Sequence, residues 1–410
     1  RIDTEGSSIM TAAPAVPTVI GGVDTHADTI HVAAIDDLGR ELGDREFSTT
    51  PAGYRDALAF LVGFGALVVI GIEGTSSYGT GLTRLATAAG ITVREVTRPD
   101  RSERRRHGKS DPLDAYQAAH AVLAGRAEAA PKSEDIAGIR ALHIARRSAI
   151  KARTAAINQI HHLLITAPIE IREKYRPLPE HKLIAALAGC RPRTQDGAAA
   201  AVLTALKMLA QRHQFLTQQA DTLEQQLREL IRASHPQLLA MRGVGPVSAA
   251  QLTITAGGNP DRLRSEASFA ALCGTAPVQA SSGKTKRHRL SRGGDRAANH
   301  ALHTIALSRM SCHHATRDFV ERHRRSQRDD MEILRMLKRA IVREVFRALT
   351  RDLAVPELAD LRPTRQAKNI TIAAAAHALG TYPTKITRTE LGPYPDYDLA
   401  HRYREWLQTA

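Results

Sequence analysis

The eight residues Ala66–Glu73, ALVVIGIE, restrict the fold more than any other segment. No polar side chain interrupts them before the terminal carboxylate. A half-exposed strand would alternate polar and apolar positions, so an unbroken run predicts a strand covered on both faces. Such strands belong to α/β sheets with helices layered against them. The flanking sequence agrees. Thr18–Asp24 and Thr29–Ile35 read as strands, Asp36–Gly39 as a turn, and Arg45–Thr49 as a third strand. Pro51 to about Leu61 reads as a helix with proline in its first turn, Thr80–Ala89 as another, and Ile91–Val96 as a further strand. The uncharged, largely apolar stretch Ala57–Ile72 is interrupted by Gly63, Gly65 and Gly71. It is also shorter than the roughly 20 residues that a membrane helix needs.

Beyond residue 97 the character changes. Arg98–Lys109 carries seven basic residues, counting His107, against two acidic ones. Ser110-Asp111-Pro112 then opens a helix that runs to about Leu123, with Ser110 or Asp111 as its cap. Residues 133–165 are helical, 168–193 read as irregular, and 198–233 form a second long helix. In that helix Leu209, Leu216, Leu223 and Leu230 fall seven apart, and Leu206, Ala220 and Leu227 supply a second column. This is coiled-coil spacing, compatible with packing against the 133–165 helix or against another copy. Leu239–Ser248, with Gly-Val-Gly-Pro at its centre, reads as the hairpin of a helix–hairpin–helix element. The amides of Gly243 and Gly245 would face a nucleic-acid phosphate. The expected divisions are 18–126, 133–236, 237–352, and a tail, 353–410, that carries no functional motif. RIDTEGSSI before Met10 reads as upstream sequence.

Charge narrows the partners. Fifty-seven Lys and Arg face 42 Asp and Glu, a formal net charge of +15 over 410 residues. A polyanion, most often nucleic acid, is the expected partner. Three scattered cysteines are too few for a disulfide framework or a structural zinc site. With no secretory signal visible, a reducing, cytoplasmic setting is expected, without membrane insertion.

Four carboxylates carry the expected chemistry. Asp24 ends the first strand and Glu73 the buried one; Asp111 and Asp114 lie three apart on one helix face. Taken singly, each is an ordinary turn or cap acid. If adjacent parallel strands and the helix bring all four together, their mutual repulsion needs divalent cations to resolve it. Mg²⁺, or Mn²⁺ in its place, suits an all-oxygen site and phosphoryl transfer. Arg104, Arg105, Arg106 and Lys109 would hold a nucleic-acid backbone beside it.

A second constellation lies in residues 274–296. Lys284, Lys286, Arg287, Arg289, Arg292 and Arg296 are opposed only by Asp295, and Ser281-Ser282-Gly283 stands at the mouth of this loop. Two readings stay open on chemistry alone. The loop is a phosphate-binding bend, or a serine there attacks a phosphate whose charge the arginines neutralise.

These motifs resemble a known family. Val23-Asp24-Thr-His-Ala-Asp28, Ile72-Glu73-Gly-Thr-Ser-Ser-Tyr78 and Lys109-Ser-Asp111-Pro-Leu-Asp114-Ala are similar to the three motifs of the DEDD transposases of bacterial insertion sequences, relatives of the Piv-type DNA invertases. Arg242-Gly-Val-Gly-Pro through Ser282-Gly to Gly294-Asp-Arg296 resembles that family's C-terminal transposase region, as does the later helix with Leu334, Lys338 and Arg339. The resemblance covers roughly Val19–Asp352. It implies an RNase H-like, RuvC-related N-terminal domain, a coiled-coil linker and a mostly helical C-terminal domain. It implies Mg²⁺ at Asp24, Glu73, Asp111 and Asp114, and a serine nucleophile that forms a covalent phosphoserine link to DNA. Ser282 matches that serine, with Ser281 as the competing register. It further implies donor and target DNA, a structured bridge RNA as guide, and a dimer or tetramer working in the bacterial nucleoid. A hydrolytic junction resolvase with the same acids is the competing enzyme, and a nucleic-acid-binding architectural protein the non-enzymatic alternative.

Overall fold

The computed structural model describes residues 16–96, 110–133, 135–192, 197–258, 263–279, 288–289, 293–355, 357–392 and 396–410. The chain divides into two compact units, between Ser133 and Glu134.

The first unit contains β1 (Thr18–Thr25), β2 (Thr29–Asp36), β3 (Glu41–Ser48), α1 (Pro51–Val62), β4 (Ala66–Glu73), α2 (Thr80–Ala88), β5 (Thr92–Val96) and α3 (Asp111–Leu123). The strands form one sheet in the order β3-β2-β1-β4-β5. β1–β2 and β2–β3 are antiparallel, whereas β1–β4 and β4–β5 are parallel. β3 begins at Glu41, four residues earlier than its apolar content suggests. Its polar side chains are largely exposed, as an edge strand allows. On one face of the sheet, Val23, Ile30, Ile70 and Ile72 pack with Leu58 and Leu61 of α1 and Leu82 of α2. On the other, Ile20, Ala33 and Ile35 meet Ala115, Tyr116 and Ala119 of α3, with Val69 against them. From Val69 to Ile72 β4 is thus covered from both sides, as its apolar run requires, while Ala66 and Val68 at its start are exposed.

The second unit opens with α4 (Asp135–Thr166), α5 (Ile169–Tyr175), α6 (Glu180–Ala188) and α7 (Gly197–Ser234). The stretch expected to be irregular therefore holds two helices. Pro168 and Pro179 stand immediately before them, at the N-cap, where proline starts a helix rather than breaking one. Ile171, Tyr175, Leu183 and Leu187 bury their side chains against Ile160 and Leu164 of α4 and Leu203 and Leu206 of α7.

α4 and α7 pack against each other within one chain, with Leu216 and Ala220 against Ala149 and an Arg146–Glu224 pair at 2.6 Å. The seven-residue leucine column is not the buried seam. Leu206, Ala220 and Leu227 are enclosed, Leu209 and Leu223 are half-buried, and Leu230 is 39% exposed. The contact line follows Leu206, Ala220 and Leu227, and the leucine column lies at its edge, so only Leu216 of its four members is buried.

Next come α8 (Pro236–Ala240), α9 (Pro246–Ala256), α10 (Glu266–Leu272), β6 (Val278–Gln279), β7 (His288–Arg289), α11 (Arg296–Cys312), α12 (His314–Arg325) and α13 (Asp330–Thr350). Leu252, Phe269, Leu302, Ile305, Ile341 and Val345 form their common core. The tail is not featureless: α14 (Leu361–Ala367), α15 (Ile372–Ala378), α16 (Pro383–Leu391) and α17 (Tyr397–Thr409) enclose a separate core of Leu361, Ala375, Ile386, Leu399, Tyr403 and Leu407.

Candidate active site

The placement of the acids follows from strand register and two glycines. Val23 of β1 pairs with Ile72 of β4, so Asp24 and Glu73 come next, side by side, at the carboxyl ends of parallel strands. Both lie on the α3 face. A Cβ on Gly22 would sit 2.1 Å from the Ala115 carbonyl oxygen, and one on Gly71 would sit 2.7 Å from that of Ala118. Strand alternation puts Asp24 with Gly22, and Glu73 with Gly71. The glycines let α3 lie directly on the backbone of the sheet, running so that its first turn reaches the same strand ends. That turn carries Asp111 and Asp114. Asp111 is not the cap. Ser110 occupies that position without a side-chain hydrogen bond to the helix, and Asp111 is the first helical residue.

The charges there are close. His26 Nε2 lies 3.2 Å from Asp24 Oδ2 and 3.3 Å from Asp111 Oδ1. Asp24 is 6% exposed. Burial lifts its carboxyl above the ordinary carboxylate range, and the negative charges of Asp114 and Asp111 push the same way. The charge of His26 and the Thr25 amide, which donates to Asp24 Oδ1 at 3.0 Å, act against them. Thr25 Oγ1 donates to the Glu73 carbonyl at 2.9 Å, tying the two strand ends together. Asp24, Asp111 and Asp114 are thus brought into one electrostatic group, with Glu73 beside them by register.

One ligand atom each from Asp24, His26 and Asp111 lies within 4.8 Å of the others. Asp24 Oδ2 is buried and close to His26 but not aligned with it as a hydrogen bond. A buried carboxylate oxygen in that condition, among further carboxylates, fits a divalent cation with hard oxygen ligands. His26 was not singled out in the sequence. The available signal was its position two residues after Asp24, where a strand end can return a side chain to the same side. The other acids of this unit are differently employed: Asp36 accepts from the Leu38 and Arg40 amides and from Arg40 Nε, closing its turn.

Arg104, Arg105, Arg106 and Lys109 lie outside the described residues, as do Ser281, Ser282, Lys284, Lys286, Arg287, Arg292 and the side chain of Arg289. The two feet of the serine-bearing segment are described, in the second unit. Asn299 Nδ2 donates to the carbonyls of Cys273 and Gly274, both at 3.0 Å. Lys338 Nζ donates to Asn299 Oδ1 at 2.9 Å. Burial and the nearby Arg335 lower the pKa of Lys338. Asp295, read from sequence as the lone acid facing six cations, caps α11 through the Ala297 and Ala298 amides. It also accepts from Thr255 Oγ1 at 2.6 Å. Arg296 is exposed on the first turn of the helix so capped. Gly243 adopts φ +76°, and Gly245 is the N-cap of α9 with open space where a side chain would be. The short helix, hairpin and helix expected here are present.

Two family models match the chain. The DEDD transposase model of IS110 covers residues 21–167, and the model described as Transposase, IS116/IS110/IS902 family, covers residues 235–321. Between them they take in more than half of the sequence. The chain belongs to the IS110 family of transposases. No curated protein matches it as a relative. The first match contains all four acids and His26. The second contains the Gly243–Gly245 hairpin, Ser281, Ser282 and Arg296, and ends before Lys338 and the tail. Family membership makes the protein an enzyme acting on DNA. No described helix is long and apolar enough to cross a membrane.

Proposed function

We propose that this transposase cuts and rejoins DNA for the mobility of an insertion sequence, with Asp24, Glu73, Asp111 and Asp114 as its metal-binding acids and Ser282 as its nucleophile. The observation that carries the reading is the convergence of Asp24, Asp111 and Asp114 around one buried carboxylate oxygen, with Glu73 at the adjoining strand end. The β3-β2-β1-β4-β5 order, antiparallel on one side of β1 and parallel on the other, supports an RNase H-like, RuvC-related identity for residues 18–126. The paired long helices of 133–236 serve as linker, and 237–352 as the domain that presents the serine.

The acids would hold Mg²⁺, or Mn²⁺, which when bound neutralises phosphate charge and assists the serine hydroxyl. Asp24 and Asp111 supply hard oxygen ligands. His26 Nε2 lies between them. Ser282 Oγ attacks the phosphorus of a phosphodiester: the Oγ–P bond forms, the P–O3′ bond breaks, and the serine proton leaves with the 3′-oxygen as a hydroxyl. The phosphodiester's energy is conserved in the link, so rejoining needs no nucleotide cofactor. Asn299, held by Lys338, fixes one foot of the serine-bearing segment at Gly274, and Asp295, the N-cap of α11, anchors the other. A structured bridge RNA would select donor and target DNA, and the active protein would be a dimer or tetramer on the bacterial nucleoid.

The test is a covalent adduct. Wild-type protein with Mg²⁺ and element-end DNA should yield a detergent-stable protein–DNA species, with a nucleotide on the peptide containing Ser282 by mass spectrometry. Ser282→Ala should keep nucleic-acid binding and lose both cleavage and adduct. Full cleavage by Ser282→Ala with hydrolysed 5′-phosphate ends would overturn the serine mechanism in favour of hydrolysis. Loss in Ser281→Ala alone would move the assignment by one residue.

A further inference from the structure

The tail lies beyond both family matches and has its own core. Within it, α15 and α16 are joined by a four-residue turn, Leu379–Tyr382. Gly380 adopts φ +61° with nothing near its missing Cβ, so the turn needs glycine for its backbone and not for space. The Thr381 amide donates to the Ala376 carbonyl at 2.8 Å, closing the end of α15, and Pro383 starts α16. Ala375, completely buried, lets the helices approach; Ile386 of α16 fills the space beneath. α14 and α17 support the pair from below through Leu361, Leu399, Tyr403 and Leu407.

The rotation of α16 about its axis is locked. Glu390 is held at both oxygens by Arg365, at 2.7 and 3.0 Å, and accepts from Tyr403 Oη at 2.7 Å. Ile386, Thr389 and Glu390 therefore point inward. Outward go Thr384, Thr387, Arg388 and Leu391, a single stripe at spacings of three and four. Two hydroxyl groups with methyls, a guanidinium and one aliphatic side chain are the groups that read base edges in a major groove. A stripe with one apolar residue in four is a poor protein-docking face. Arg388 also lines a cleft of about 960 Å³ together with Arg228 and Arg232, while Lys385 in the same lining is paired with Asp396. The guanidinium groups of Arg228, Arg232 and Arg388 in this lining suit a phosphate backbone running past α16.

We infer that residues 357–410 are a helix–turn–helix module that binds duplex DNA, with α16 as the helix that enters the major groove. The module selects sequence without any part in the cleavage chemistry. Its contribution can therefore be measured with the acids inactive, and fails or succeeds independently of the serine mechanism.

The experiment uses the full chain in EDTA, with a pool of random 25-bp duplexes selected for binding at moderate salt. Wild-type protein should enrich a short motif of about three to five base pairs, as one recognition helix can contact. The triple variant Thr384→Ala, Thr387→Ala, Arg388→Ala alters only exposed side chains and should melt as wild type does. It should lose that enrichment, with affinity for the motif falling by about 10-fold or more and affinity for unrelated duplex falling by less than about 3-fold. Three results would overturn the inference. One is wild-type protein that enriches no motif, and another is a triple variant that enriches the same motif with the same affinity. The third is a variant that loses binding to structured RNA while its duplex selection is unchanged.

Discussion

Replacing Gly22 with alanine adds one methyl group at the contact that positions half of the acids. Its Cβ would lie 2.1 Å from the Ala115 carbonyl oxygen, 2.4 Å from the Ala119 amide nitrogen and 2.8 Å from the Ala119 Cβ. Two of these are helix backbone, which cannot rotate aside. To restore ordinary contact near 3.5 Å, α3 must retreat by roughly 1 Å. Overpacking of this kind costs about 1–3 kcal/mol. The catalytic effect should be the larger one, because Asp111 and Asp114 ride on α3 while Asp24 and Glu73 stay with the sheet. A displacement of about 1 Å between catalytic groups can lower a rate by roughly 100-fold. Gly21→Ala is the matched control. It makes the same change one residue earlier, but the nearest atom is Leu61 Cδ1 at 2.9 Å, the end of a side chain able to move. Thermal melts with and without Mg²⁺, together with DNA cleavage, provide the readout. Gly22→Ala should melt several degrees lower, show a weaker Mg²⁺ response and cleave poorly, whereas Gly21→Ala stays near wild type. Equal behaviour of the two variants, or wild-type cleavage by Gly22→Ala, would refute the close approach of α3 as the device that assembles the site.

Asp24→Ala removes a buried charge from among like charges, so melting temperature without Mg²⁺ should hold or rise while the stabilisation by Mg²⁺ shrinks; a marked fall without Mg²⁺ would contradict this. Leu227→Ala, at a fully buried site, should cost about 2–5 kcal/mol in chemical denaturation, and Leu230→Ala, 39% exposed, well under half as much. The reverse order would restore the leucine column as the seam. Asp396 pairs with Arg242 at 2.6 Å and Lys385 at 3.0 Å, and its carboxyl is held down at about 2 although burial opposes this. The folded value lies below the ordinary 3.8, so the stabilisation is present above that pH and is lost as pH falls towards 2. Asp396→Asn should therefore cost roughly 2 kcal/mol at pH 7, and the gap to wild type should close between about pH 4 and pH 2 in pH-dependent melts.

Much of the first unit was legible because its signals are local. β4 is apolar, and its second half is covered on both faces. Proline at Pro51 and Pro112 marked two helix starts by its fixed φ. The acids stood out by their positions at the ends of elements. The same local reading misjudged Pro168 and Pro179, because a proline that breaks one helix and one that starts the next look alike until the following residues find a core. It also took Asp111 for a cap candidate, and read Asp295 only as the acid opposing six cations. Both depend on hydrogen bonds that only the folded backbone defines.

The sequence alone determined the strands and helices of the first unit and the two long helices of the second, where the carboxylates and cations sit along the chain, and the family to which their motifs belong, since periodicity, capping and motif spacing act over a few residues. Tertiary structure decided what those residues meet. Strand order set β1 beside β4, and with it Asp24 beside Glu73; two glycines let α3 close over them; His26 came between two acids. Packing chose Leu227 over Leu230, and one buried Arg365–Glu390–Tyr403 network turned Thr384, Thr387 and Arg388 outward. Each of these is a contact between residues far apart in the chain. Such contacts are fixed by burial and backbone geometry across the whole unit, and short-range pattern carries no record of them.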